Sequence, residues 1–332
     1  MQEEDIRPEE LFNTYLSLAK WDVKKYFEGV PTYNIPCPAC GSYDNFSQFE
    51  KLGFTYVECS VCGTLFVNPR PIADSFSRYY SDSASVEFWA THFYKQTEDS
   101  RRERIIKPKA LLVADILKKY KRPESAPLCI VDIGAGYGIF CEEIRKTLDS
   151  NARIIAIEPA SALHDVCVSK GISTINRFLE DTKREELPCS HITCATSFEL
   201  LEHIYDPGIF IKACHSILDR NSLFIITTLN WEGFDLQMLG GRSKSIHPPH
   251  HINFFTPHSI QLLLKRYGFE ILDISTPGQL DVNIVAKQLT DVNCVFIKKL
   301  LINCNDLQKE KIQKFLQESL MSSHMMVVAR KK

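Results

Sequence analysis

Four groups of residues in this 332-residue chain have types and spacings that could do chemistry. The first is CPAC (Cys37, Cys40) and CSVC (Cys59, Cys62), with 18 residues between the pairs and a glycine after each, Gly41 or Gly63. Such a glycine lets the chain turn so that backbone amides face thiolate sulphur. Two such knuckles supply a closed tetrahedral site of four thiolates, which predicts a structural zinc with no position left for water. The second group is VDIGAGYG, with Asp132, Gly134, Gly136 and Gly138 between an apolar run and a helical one. It departs from the dinucleotide fingerprint G-x-G-x-x-G, because Ile139 stands where the third glycine belongs, and no G-K-[ST] follows to make a P-loop. The third is Glu158, 20 residues past Gly138, a carboxylate placed to accept both hydroxyls of a ribose. The fourth is SFELLEHIYDP, carrying Phe198, Glu199, Glu202 and His203, with the later run HPPHH carrying His247, His250 and His251. Histidine titrates near neutral pH, and Glu202 adjoins His203, so His203 is the leading candidate for a general base. His251 is the first choice among the loop histidines for contact with an acceptor.

These residues need elements to position them. From about residue 107 the chain alternates helical and strand-like segments. ALLVADILKKY, YGIFCEEIRKTL, SALHDVCVSKG, IFIKACHSIL and SIQLLLKRYG read as helices, whereas CIVDI, ARIIAIE, HITCATS, SLFIITTL and FEILDIS read as strands. That alternation predicts an α/β fold, a doubly wound parallel sheet covered on both faces, whose ligands lie at the carboxyl ends of the strands. The glycine loop, Glu158 and the Glu202–His203 pair all fall just after strands, and FLEDT lies around the third strand. There Leu179 with Glu180 or Asp181 could flank an adenine and accept its amino protons.

Bulk properties narrow the field. A net charge of −2, with 44% hydrophobic and 24% charged residues, fits a globular protein and gives no general reason to expect nucleic acid or an anionic membrane as partner. The acidic MQEEDIRPEE has no apolar core of a secretory signal, and no run of 18 apolar residues occurs. Twelve cysteines without such a signal predict reduced thiols and a cytoplasmic location. Between Pro31 and Ser75, Lys51 and Arg70 face four acidic residues, the wrong balance for gripping phosphates. The aromatics of that stretch, Phe46, Phe49, Phe54, Tyr56 and Phe66, are expected to fill a small core around the metal. SRYYSDSASVEFWATHFYKQ reads as a helical arm that covers something. RRERIIKPK, Arg101 to Lys109, reads as a solvated face, with a grip on a phosphorylated substrate as the other reading.

The ordered set VDIGAGYG, E-P, LLEHIYDP and HHINFFTPHSIQLLLKRYGFEI resembles the class I S-adenosylmethionine-dependent methyltransferases over roughly Ile105 to Lys332, and SSHMMVVARK resembles that fold's last, antiparallel strand. The front portion, with FVNPRP and Tyr79–Tyr80, resembles the zinc-binding amino-terminal module of sugar C-methyltransferases and related natural-product and polysaccharide enzymes. The resemblance implies a Rossmann-like doubly wound methyltransferase sheet behind a small four-cysteine zinc ribbon. The implied division is a helical segment (1–30), the ribbon (31–75), a helical arm or linker (76–106) and the methyltransferase domain (107–332). It implies S-adenosylmethionine as cofactor, with Asp132 near its methionine part and Gly134, Gly136 and Gly138 shaping the loop. Glu158 would hold the ribose, Leu179 and Glu180 border the adenine, and Phe198 cover the cofactor. The expected partner is a small-molecule acceptor, a nucleotide-linked sugar or polysaccharide precursor, methylated on carbon or oxygen. The competing reading is an RNA methyltransferase that uses its ribbon as a binding module.

Overall fold

The computed structural model describes residues 3–121, 127–148 and 151–332, so the first two residues of the amino-terminal segment lie outside it. Its front module is a small antiparallel sheet of β1 (Asn45–Lys51), β2 (Phe54–Cys59) and β3 (Leu65–Val67). The β1–β2 hairpin turns through Leu52 (φ 50°) and Gly53 (φ 78°). Two successive positive φ angles give a turn whose twist matches that of the strands. Phe54, Tyr56 and Phe66 are buried as a small core would require, whereas Phe46 is exposed.

The large sheet has seven strands: β4 (Cys129–Ile133), β5 (Arg153–Ile157), β6 (Ser173–Ile175), β7 (Cys194–Phe198), β8 (Leu223–Leu229), β10 (Phe269–Ser275) and β11 (His324–Lys331). Between β8 and β10 in sequence comes β9 (Asn253–Phe254), which joins the front sheet. Spatial order in the large sheet is β10-β11-β8-β7-β4-β5-β6. Strands β8, β7, β4, β5 and β6 run parallel, and β11 lies antiparallel between β8 and β10. Every residue of β4 and β8 is buried, the continuous apolar signature of strands covered on both faces. Helix α1 (Lys107–Tyr120) buries Ala110, Val113, Ala114 and Leu117 on one face against that sheet. Helices α2 (Pro207–Ile217) and α3 (Pro257–Arg266) each begin with proline at a position whose amide would lack a partner. Asp206 and Thr256 cap them, accepting from the amides of Ile209 and Ser259, both at 3.0 Å.

Two features go beyond the sequence reading. The front module and the sheet share one apolar core: Cys37, Cys59, Cys62 and Phe66 pack in the same cluster as Leu201, Phe255 and Ile260. The strand β9, from the histidine-bearing loop, completes the front sheet by pairing Asn253 with Phe66 and Phe254 with Leu65. Residue 75 is therefore a boundary in sequence and not a gap in packing. The second feature is a helical insert, Asp281–Lys287, Val295–Asn303 and Asp306–Glu318, between β10 and β11. It carries its own cluster of Val282, Val285, Leu301 and Leu316.

Candidate active site

The glycine loop follows β4 and all three glycines have positive φ (73°, 55° and 67°). Two of them are set by packing. A Cβ at Gly134 would lie 2.8 Å from Leu200, and one at Gly138 would lie 2.4 Å from Ile172. Gly138 thus permits a close approach to Ile172, just before β6, and to Cys167, one position earlier than the third glycine of a dinucleotide loop. Gly136 differs, because a Cβ there would meet nothing within 4 Å. Its bare backbone faces open space above the strand ends, as a loop needs when a ligand must approach it closely.

Glu158 leaves β5 beside this loop and is 6% exposed. Its two carboxylate oxygens accept from the Gly136 amide at 2.8 Å and the Ala160 amide at 2.9 Å. Burial raises its pKa, and those amides partly oppose the rise. Each carboxylate oxygen has two acceptor positions, so one on each stays available to a further donor. Asp132, on β4, accepts from the Thr196 hydroxyl at 2.7 Å, and burial pushes it up to about 7. Leu179 is buried in the main core and Glu180 beside it is exposed. Phe198, half-buried, meets Phe140 edge-on at 4.8 Å and carries the Lys109 ammonium 4.6 Å above its ring.

The aromatic arm covers the glycine loop. Tyr94 stacks on Tyr137 of GAGYG at 4.7 Å with planes 2° apart, and the Tyr137 hydroxyl donates to the Ala90 carbonyl. The arm contains two π-helical turns, Trp89–Phe93 and Arg102–Ile106. The basic run beneath it is largely engaged internally. Arg102 bonds Glu98, Glu142 and Glu143, Arg104 pairs with Asp5, Lys107 with Glu103, and Lys109 with Glu199.

Past β7 a single 3-10 turn, Leu201–His203, presents the acid–histidine pair. Glu202 is 1% exposed and accepts from the Thr228 hydroxyl at 2.8 Å. Burial, with the nearby Glu199 charge, pushes it up to about 8. The His203 Nδ1 lies 2.8 Å from the His250 carbonyl, and the His251 Nδ1 lies 2.6 Å from the Ser245 carbonyl. A carbonyl only accepts, so both Nδ1 atoms carry the proton and both Nε2 atoms keep a lone pair. Burial lowers His203 to about 4 and holds His251 well below its ordinary value, so both rings are neutral at pH 7. Glu202, His203 and His251 each offer one ligating atom, all within 4.8 Å of one another. The structure thus gathers the three residues singled out for acceptor chemistry.

Several neighbours were invisible to spacing. The Tyr15 hydroxyl lies 3.0 Å from the His247 Nε2, and Tyr79 and Tyr80 reach His250. Glu199, at φ 50°, binds His324, Lys109 and Thr227. Burial alone would raise its pKa, but those partners outweigh burial and hold it well below the carboxylate range. Tyr15 had no sequence signal, whereas the Tyr79–Tyr80 pair had one through the resemblance of the front portion, and Glu199, His247 and His250 lie in the SFELLEHIYDP and HPPHH runs.

Elsewhere the four cysteine sulphurs converge. Cys37 and Cys62 are 3.5 Å apart, as are Cys40 and Cys59, and all four lie within 4.8 Å of one another. A tetrahedral zinc with bonds of about 2.3 Å has sulphur–sulphur edges of about 3.8 Å, so the donor set fits that ion.

A family profile described as "Methyltransferase domain" matches residues 100–274. The chain is 29% identical over 119 residues to a ubiquinone biosynthesis O-methyltransferase from Bradyrhizobium diazoefficiens, covering 34% of this chain and 45% of that protein. It is likewise 29% identical over 168 residues to one from Xanthomonas euvesicatoria pv. vesicatoria, covering 46% and 67%. The first of these matches spans under half of that relative's length. Among solved structures, it is similar to a SAM-dependent methyltransferase from Archaeoglobus fulgidus (14% identity, TM-score 0.47, 72% and 100% covered). It is also similar to the plantazolicin methyltransferase in complex with SAH (14%, 0.48, 77% and 94%).

Proposed function

The chain belongs to the methyltransferase-domain family, and from that premise we propose that it methylates a small hydroxylated acceptor with S-adenosylmethionine as donor. The cofactor supplies an activated methyl group on a sulfonium. The chain's own residues bind, orient and exclude water. The glycine loop offers bare backbone at Gly136, and Glu158 receives the ribose hydroxyls beside it. Asp132, Leu179, Glu180 and Phe198 complete that side, and Tyr94 on Tyr137 shields it from solvent.

One observation carries the acceptor chemistry. His203 is a neutral imidazole with its Nδ1 proton committed to a backbone carbonyl, leaving Nε2 to accept a proton from an acceptor hydroxyl. Glu202 and His251 adjoin that position and would orient the acceptor. The engagement of Arg102, Arg104, Lys107 and Lys109 by carboxylates disfavours this basic run as the grip on an acceptor's phosphates. The candidates are a sugar hydroxyl, or carbon beside a carbonyl, in a nucleotide-linked or polysaccharide precursor, and, after the relatives' name, a hydroxyl oxygen of a ubiquinone precursor. Cys37, Cys40, Cys59 and Cys62 would hold a structural zinc. The RNA reading is disfavoured by the acidic balance of the ribbon. The test is incubation with methyl-deuterated S-adenosylmethionine and panels of nucleotide sugars, phenols and RNA, read by mass spectrometry. A +17 shift is expected in a small molecule, whereas label confined to RNA would reject the reading.

A second reading rests on the donor set. Two imidazole nitrogens and a carboxylate suit a divalent cation with open positions for an acceptor oxygen. Turnover lost on dialysis against a chelator, with the ribbon zinc retained, and restored by one added cation would favour it over a free base.

A further inference from the structure

The segment FVNPRP was singled out by the sequence and has no part in the chemistry above. Its Arg70 is 1% exposed, and among the described residues no carboxylate lies within ion-pair distance of it. A buried guanidinium that makes no direct ion pair is costly unless its donors are filled. Here they are filled from both histidine-bearing loops. Nη1 donates to the Tyr205 carbonyl at 2.5 Å, two residues past His203. Nη2 donates to the Asn253 Oδ1 at 2.7 Å and the Ile252 carbonyl at 3.4 Å, just past His251. Nε turns back to the Val67 carbonyl at 3.4 Å, anchoring the side chain to the front sheet. Asn253 extends the link, donating to the Ile204 carbonyl at 2.8 Å.

We propose that Arg70 is a positioning residue for the acceptor histidines: its planar fork fixes the loop of His203 against the loop of His251, so that both imidazoles face one acceptor. The proposal rests on the methyltransferase reading of those histidines. A fork with donors on three nitrogens can span two loops, which a point-charge ammonium cannot. A residue needed only for packing would be an apolar side chain of similar volume, since that avoids burying a charge. Burial lowers Arg70 only to about 10, so it stays charged at neutral pH.

The test uses the whole protein labelled with ¹⁵N in its histidine rings. Arg70→Met should displace the Nδ1 and Nε2 resonances of His203 and His251 and leave those of His164 and His215 in place. Its affinity for S-adenosylhomocysteine should stay within about twofold, with zinc content unchanged. Arg70→Lys should restore part of the native pattern. Asn253→Leu, which removes one acceptor of the fork, should displace the same two histidines and serves if Arg70→Met does not fold. Unmoved resonances in either folded variant, or equal displacement of all histidines, overturns the proposal, as does failure of both variants to fold. Absence of S-adenosylhomocysteine binding by the unaltered protein would overturn the methyltransferase reading separately, leaving the ring readout intact.

Discussion

The centre of the glycine-loop half of the candidate site, Asp132 to Ala160, comes from one stretch of chain, whereas the histidine half gathers Tyr15, the Arg70–Tyr79 segment, His203 and His251 from four. The first half works through backbone: an open glycine, two amides and one buried carboxylate. The second works through neutral rings whose orientation depends on carbonyls elsewhere in the fold. A site made of backbone is fixed by its local turn. A site made of side chains is only as accurate as the packing that supports it.

The largest expected effect separates the halves outright. Cys59→Ser opens the four-sulphur shell, whose zinc would be worth about 10–16 kcal/mol in an isolated zinc-finger peptide. The ribbon should unfold, and because β9 pairs into its sheet, the His247–Phe254 loop should loosen with it. Hydrogen exchange should accelerate across residues 245–256 while S-adenosylhomocysteine affinity changes little. A comparable loss of affinity would show that the halves are not separable.

Next, His203→Ala should slow transfer to the acceptor found by the mass screen about 10²–10⁴-fold, the usual worth of a positioned base. Cofactor affinity should remain within a few-fold. A near-normal rate would transfer the role to His251 or to a bound cation. Glu158→Ala should do the converse, weakening S-adenosylhomocysteine binding by about 1.5–3 kcal/mol in calorimetry while NAD remains unbound.

Smaller still is a contrast inside the loop. Gly138→Ala must displace Ile172 at 2.4 Å, whereas Gly136→Ala meets nothing. Both bear the strain of positive φ, about 1–2 kcal/mol, and the first adds an overpacking cost of about 1–3 kcal/mol. Urea unfolding should rank Gly138→Ala as less stable, and cofactor binding should suffer more specifically in Gly136→Ala. The smallest effect concerns His324, whose pKa is raised: burial lowers it, but pairing with Glu199 outweighs that. Its contribution to stability is full below the unfolded value of about 6.5 and is lost as pH rises through the higher folded value. Urea midpoints for His324→Gln should therefore fall less than those of the parent between pH 6 and 8.5.

The same contrast explains what the sequence made legible. Strands such as β4 and β8 announce themselves by apolar runs, and the glycine loop by its spacing, because strand, turn and helix are consecutive. Gly136 and Gly138 look alike in sequence, yet in the fold one faces open space and the other a packed Ile172. Tyr15 carries no signal at all, since its contact with His247 spans 232 residues. The fully buried Arg70 reads as an ordinary basic residue in a proline-rich connector. The insert was missed although Asn305 and Gln308 form a capping box, a local cue that competes poorly with a strand–helix alternation ending at β10.

The position of β11 bears on how such a chain is made. This strand comes from residues 324–331 but occupies a place between β8 and β10, bonded along both edges. Until the ribosome has released it, the growing sheet has a slot in its middle, with β8 and β10 each showing an unpaired edge. Strand edges of that kind recruit other chains, and pairings between residues a hundred positions apart form slowly. Placing this strand is thus the step that seals the sheet, so partly synthesised chains that still lack residues 324–331 are a population exposed to aggregation and in need of a chaperone.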